Sequence, residues 1–297
     1  SGNYAIVGTY SEDDADGIDS GKAYIFNVNS GVPLHTLDNP NAYSTSANDR
    51  FGSSVAISGN YAIVGAYQED DAGGSSGSSS GKVYIYNVTS GALVHTLDNP
   101  NAYGTSYDDR FGKSVDMSGN NAIVSAYAED DAGGPSSGKV YIYNVTSGAL
   151  VHTLDNPNAY GTSYDDRFGK SVDMSGNNAI VSAYAEDDAG GPSSGKVYIY
   201  NVTSGALVHT LDNPNAYSTS ASDYFGWNVA ISGNSAIVGA WGEDDAGGNR
   251  SGKAYIFNVT SGAFLSTIDN PNSSGAGDNF GFSVAISGNS AIVGALY

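Results

Sequence analysis

Residues 101 to 157 are identical to residues 158 to 214, and the dipeptide Phe-Gly recurs at Phe51, Phe111, Phe168, Phe225 and Phe280, spaced by 60, 57, 57 and 55 residues. A chain that repeats itself at such a period builds one supersecondary unit several times over and stacks the copies. Each unit offers four short strand segments. In the copy that starts at Phe111 they are "FGKSVDM", "NAIVSAY", "GKVYIYNV" and "ALVHTL", termed here strands A, B, C and D. The "SGN" at Ser118 to Asn120 joins A to B and the "VTSG" at Val145 to Gly148 joins C to D, both turns of hairpin type. Longer loops join B to C and D to A.

Four antiparallel strands per unit predict an all-β fold, a β-propeller of four-stranded blades with about five blades in this chain and incomplete terminal ones; a β-sandwich is the alternative. Forty Gly and 22 Tyr, with short Val, Ile and Tyr runs between polar turns, fit that class. The units run over residues 1–57, 58–117, 118–174, 175–231 and 232–286, with a partial one at 287–297, within one domain. The chain opens in a strand B at Tyr4 and closes with a strand A at Phe280 and a further strand B ending at Tyr297. Two expectations follow: either the last strand A completes the first blade, or a longer array has been cut. An open strand edge of this kind is expected to pair with another copy of the chain. Ser1 carries no initiator Met or leader, so a mature product or an excerpt is expected.

The pattern "FGxSVAISGNYAIVGAY" followed by "SGKxYIYNV" resembles the FG-GAP repeat of integrin α-subunit propellers and of many bacterial surface proteins. The likeness covers the whole chain and rests on the Phe-Gly, on the Val-Gly-Ala of strand B at Val64, Val238 and Val293, and on the Gly-Lys-x-Tyr-Ile of strand C. It implies a propeller of radially packed blades. Many such repeats carry a calcium loop of the Asp-x-Asp-x-Asp-Gly type between strands A and B. Here a bare "SGN" takes that place, so the family's calcium site does not carry over.

A formal charge of -20 argues against nucleic acid or an anionic membrane surface as a partner, because phosphate binding relies on Lys and Arg. Cations, basic surfaces and neutral glycans are compatible with it. No cysteine is present, so packing and strand pairing hold the chain together. No apolar run approaches the roughly 20 residues that cross a bilayer, so direct membrane insertion is not expected.

In an antiparallel blade the B-C and D-A loops share one end, and the acids concentrate there. The B-C loops hold Glu12-Asp13-Asp14, Glu69-Asp70-Asp71, Glu129-Asp130-Asp131, Glu186-Asp187-Asp188 and Glu243-Asp244-Asp245. The D-A loops begin with Asp38, Asp98, Asp155, Asp212 and Asp269 and place Asp49, Asp109, Asp166, Asp223 and Asp278 two residues before each Phe. The opposite turns carry no charge. Pairing A with B about Gly119-Asn120 sets Phe111 opposite Ala128 and Asp109 near Asp130, a convergence of like charges that calls for an offset. One reading is a Ca2+ ion held by Asp109 with Glu129, Asp130 or Asp131, and equivalently by Asp49 with Glu69, Asp70 and Asp71 or by Asp166 with Glu186, Asp187 and Asp188. The other is a solvated acidic turn held by Asx-type bonds and by neighbouring Lys and Arg.

Other residues have structural readings first. The Phe ring is expected between blades, with its Gly allowing close backbone approach. His35, His95, His152 and His209 occur once per unit on strand D, too far apart for a metal cluster, and ordinary packing is expected. Trp227 and Trp241 break the symmetry of the repeats and are candidates for stacking on a glycan, with blade packing as the alternative. Asn87, Asn144, Asn201 and Asn258 head Asn-Val-Thr triplets that fit glycosylated surface turns, and Asn272 heads a fifth sequon. Identical units present the same groups in every blade, whereas catalysis needs unlike groups converging at one place, so an enzyme is not expected. The leading expectation is an extracellular or cell-surface adhesion or structural module whose partners are further copies of itself, surface proteins or glycans. A glycan-binding lectin is the alternative, and a polysaccharide hydrolase or lyase comes third.

Overall fold

The computed structural model describes residues 1–13, 17–40, 48–70, 79–100, 108–130, 134–157, 165–187, 191–214, 221–244, 248–271 and 277–296. The described elements are all strands. Four sheets are four-stranded and run in chain order: β4 (Phe51–Ser58), β5 (Tyr61–Ala66), β6 (Lys82–Asn87) and β7 (Leu93–Asp98); β8 (Val115–Ser118), β9 (Asn121–Ala126), β10 (Lys139–Asn144) and β11 (Leu150–Asp155); β12 (Phe168–Ser175), β13 (Asn178–Ala183), β14 (Lys196–Asn201) and β15 (Leu207–Asp212); and β16 (Val229–Ser232), β17 (Ser235–Ala240), β18 (Lys253–Asn258) and β19 (Phe264–Asp269). They are preceded by a three-stranded sheet of β1 (Tyr4–Thr9), β2 (Lys22–Asn27) and β3 (Pro33–Asp38), and followed by a two-stranded one of β20 (Ser283–Ser287) and β21 (Ser290–Gly294). Each is an antiparallel meander of the propeller-blade type, with incomplete first and last members, as the spacing predicts.

The inner strands explain their own composition. β5, β9, β13 and β17 are buried at every position after the first, and β6 is buried at all but its last. A strand covered on both faces reads as a continuous apolar run, here "AIV" and "VYIY", rather than as an alternation. Strand D shows the opposite pattern, exposed at most positions with one buried Leu.

The described residues form two compact units, residues 1–131 with 139–154, and residues 132–138 with 155–297. In the first, neighbouring sheets meet where Phe-Gly abuts strand B. Gly112 has φ +88°, and a Cβ on Gly65 would lie 2.0 Å from the Gly112 carbonyl oxygen, so the two backbones touch where any side chain would part them. The Phe111 ring is fully buried and shares a core with Ile63, Val83 and Leu97 of the preceding sheet and Tyr141 and Tyr143 of its own. The expected position between blades is therefore observed. In the second unit, Gly239 approaches Gly281 in the same way.

The A-to-B register differs from the expected one. Phe51 pairs with Ala66 and Phe168 with Ala183, and a bulge follows each Phe before regular pairing resumes at Ser54 or Val172. In the third sheet the amide of Ala128 donates to the Asp109 carbonyl, which brings Asp109 to Ala128 and its neighbour Glu129 rather than to Asp130. The bulge absorbs the residues that a straight hairpin count carries past the end of strand B.

Candidate functional site

The acidic end of each sheet is the candidate site. Ala66 pairs with Lys82 and Lys82 with Asp98, so the start of the B-C loop and the start of the D-A loop lie at one end of the second sheet. The fourth sheet repeats this through Ala183, Lys196 and Asp212. The placement of the two acidic loops within a blade is as the sequence predicts. What the acids do there is not.

The first acid of each Glu-Asp-Asp run turns inward. Glu69, Glu129, Glu186 and Glu243 have no exposed surface, and each receives the hydroxyl proton of a buried strand-C tyrosine. Tyr84 donates to Glu69 at 2.6 Å, Tyr141 to both oxygens of Glu129 at 2.8 Å, Tyr198 to Glu186 at 2.7 Å, and Tyr255 to Glu243. Glu12 and the less buried Tyr24 form the fifth pair at 2.7 Å. Burial lifts the carboxyls of Glu69 and Glu129 to about 8 and that of Glu243 to about 7, against the tyrosine bond, which pulls down. Asp49 beside Glu69 and Asp109 beside Glu129 add to the rise. At neutral pH Glu69 and Glu129 lie on the protonated side and Glu243 near its midpoint, because burial penalises the charged form more than the tyrosine hydroxyl and the neighbouring lysine and asparagine offset it. One oxygen of Glu69 has no hydrogen-bond partner, which a neutral carboxyl tolerates far better than a carboxylate.

The second acid secures its own loop. Asp70 accepts the amide of Ser79, Asp187 that of Ser193 at 2.7 Å, and Asp244 that of Arg250 at 2.8 Å. The third acid, Asp71, Asp131, Asp188 or Asp245, lies outside the described residues, as does Asn272. In the D-A loop, Asp49, Asp109, Asp166 and Asp223 are buried and accept the side-chain amide of Asn39, Asn99, Asn156 and Asn213 at 2.8 to 2.9 Å. The opening aspartates are exposed and pair with strand-C lysines, Lys82 with Asp98 and Lys196 with Asp212.

The Ca2+ reading of the sequence would draw on this donor set. The ion wants six to eight oxygens, carboxylates among them. Glu129 accepts the Tyr141 hydroxyl, and Asp109 accepts the side-chain amide of Asn99. Among the described residues no three acidic or histidine side chains converge as a metal site.

Trp227 and Trp241 do come together. Their ring centroids are 5.6 Å apart, within a cluster that also holds Tyr184, Tyr224 and Phe282. Trp241 lies nearly parallel to Tyr224 at 5.1 Å, with the Arg250 guanidinium 5.5 Å from its centroid, and the Lys170 ammonium sits 4.8 Å from Trp227. Both indoles are half-buried, and protein groups stack on them.

The triplet asparagines close turns. Asn87 ends β6, and its side-chain oxygen accepts the amides of Thr89 and Ser90 at 3.0 and 2.9 Å; Asn144, Asn201 and Asn258 accept the equivalent serine amide. The hydroxyl of Thr146 donates to Asn120 of the A-B turn, so both ends of the triplet have structural duties. The strand-D histidines reach the next sheet: His35 Nε2 lies 3.1 Å from the Thr89 carbonyl, His95 Nε2 3.1 Å from that of Thr146, and His209 Nε2 3.0 Å from that of Thr260.

The tyrosine partners escaped the sequence reading, although a signal was present. All five glutamates of the chain occupy this one position, and a strand-C tyrosine follows 12 residues later in four units and 15 later in the one with a longer loop.

Repeated antiparallel sheets, with a glycine backbone against the Phe of each Phe-Gly, define an all-β repeat protein. The FG-GAP repeat matches residues 42–86, 102–143, 159–200, 216–257 and 271–297, and the chain belongs to that family. No curated protein matches the chain.

Proposed function

We propose that the chain is a non-catalytic adhesion or structural module of an extracellular or cell-surface protein. The observation that carries this reading is the fate of the repeated acids: the groups best suited to chemistry are consumed in each blade by the same internal partners, Glu129 by Tyr141 and Asp109 by Asn99. What is left for a partner is a set of equivalent surfaces, one per blade, and equivalent weak sites act together through effective concentration. No described helix is long and apolar enough to cross a membrane. FG-GAP repeats typically occur in surface proteins, which supports the placement.

The test is adhesion of beads coated with the chain at graded density. A multivalent module gives retention that rises more steeply than density. Turnover of a polysaccharide, abolished by one acid substitution in a single blade and spared by its equivalents, overturns the reading.

A further inference from the structure

We propose that residues 101–157 are an interchangeable repeat: copies can be added or removed at this place without creating a contact the chain does not already make. The consequence rests on the module reading above, since the copy number then sets how many equivalent surfaces the chain presents. The first observation is the complete identity of residues 101–157 with 158–214. The fold does not demand it. Phe51–Ser58 reads "FGSSVAIS" where Phe168–Ser175 reads "FGKSVDMS", and each is the first strand of a four-stranded sheet. Packing accepts such changes wherever volume and patterning are kept, so agreement over a whole repeat marks a segment copied entire rather than positions held one by one.

The junctions are the second observation. Residues 79–103, 136–160 and 193–217 are one and the same sequence, from the end of the B-C loop through strands C and D into the D-A loop. Removing residues 101–157 therefore joins Pro100 to Asn158 in the same local sequence in which Pro100 now precedes Asn101. A further copy placed after Pro157 likewise has identical sequence on both sides. Neither change alters a turn.

The contacts between sheets are the third. In the first compact unit, the third sheet meets the second through Phe111, which shares a core with Ile63, Val83 and Leu97, and through the amides of Val115 and Gly119, which donate to the Ser54 and Ser58 hydroxyls at 3.0 and 3.1 Å. In the second compact unit, the fourth sheet meets the fifth at the equivalent places. Phe225 shares a core with Ile180, Val197 and Leu211, and the amides of Val229 and Gly233 donate to Ser171 and Ser175 at 3.2 and 2.9 Å. Phe168, Val172 and Gly176 of the fourth sheet stand where Phe111, Val115 and Gly119 stand in the third. Without residues 101–157 the second sheet can thus receive β12 as it now receives β8, while the fourth sheet keeps the fifth. In a stacked array stability is a sum of repeat terms and nearest-neighbour terms, and here no term is new.

Deletion of residues 101–157 from the full chain, and insertion of one further copy after Pro157, test this by urea unfolding followed with far-ultraviolet circular dichroism. Both variants are expected to keep a cooperative transition, with midpoints in the order of copy number. Deletion of residues 41–100, of similar length, is the contrast. It sets β8 beside the first sheet, which has no strand A, so the amides of Val115 and Gly119 lose Ser54 and Ser58 as acceptors. This variant is expected to unfold at lower urea than the deletion of 101–157. Loss of the cooperative transition on deleting or inserting residues 101–157, or equal midpoints for the two deletions, overturns the proposal. Beads coated at equal density with the deletion, wild-type and insertion chains are expected to be retained in the order of copy number. Retention that ignores copy number in chains that fold overturns the module reading and leaves the interchangeable repeat standing.

Discussion

The Tyr141 hydroxyl donates to both oxygens of the Glu129 carboxyl at 2.8 Å, in a place neither side chain shares with solvent. The same pairing recurs from Glu12 with Tyr24 to Glu243 with Tyr255, so what looks like an acidic surface run is one-third a buried polar core. Its chemistry sets the pH response of the fold.

Stability is expected to fall as pH rises from about 4.5 to 8. Glu69 and Glu129 are raised from 4.5 to about 8 and Glu243 to about 7, so between these limits the folded chain binds more protons than the unfolded one. Each group contributes a slope of about 1.4 kcal/mol per pH unit across its window. Urea unfolding at pH 5, 6, 7 and 8 reads this out, and Glu129→Gln is expected to remove one group's share of the slope. An unchanged midpoint from pH 5 to 8 contradicts it.

Tyr141→Phe is expected to cost about 1–3 kcal/mol, because it removes the hydroxyl that donates to a buried carboxyl. Pairing that change with Glu129→Leu, which removes the acceptor, in a double-mutant cycle gives the coupling between the two groups. Additive losses would mean that the two groups do not interact.

Phe111→Ala is expected to cost about 3–5 kcal/mol, as for other large rings removed from a core. Gly112→Ala fails for a different reason: its φ is +88° and the added Cβ would lie 2.6 Å from Val83 Cγ2 and 2.8 Å from the Lys82 carbonyl oxygen. A loss above about 1 kcal/mol is expected there. Chemical denaturation of the two variants checks both values.

The chain has two tryptophans, and both lie in one aromatic cluster, so intrinsic fluorescence reports on that cluster alone. With Tyr224 and Arg250 against Trp241, soluble neutral oligosaccharides are expected to produce no saturable change. A saturable quench that Trp241→Phe removes would favour the glycan reading.

Much of the fold was legible in the sequence because a repeat reports its period and its turns directly. Strand order, the tight A-B and C-D turns and the shared end of the two acidic loops all follow from spacing. The register at Phe51 was not legible, since a bulge follows it where Gly52 meets Gly8 of the preceding repeat. Neither was the burial of Glu129: composition presents a run of acids, and only the three-dimensional path of strand C brings Tyr141 beneath the first of them.

The most direct test is carbon-13 NMR titration of the side-chain carboxyls in protein labelled only at glutamate, which resolves five positions and no others. Midpoints near 8 for Glu69 and Glu129 and near 7 for Glu243 are predicted. Five carboxyls titrating together at the free-glutamate value of about 4.3 would place these side chains in water and contradict the account.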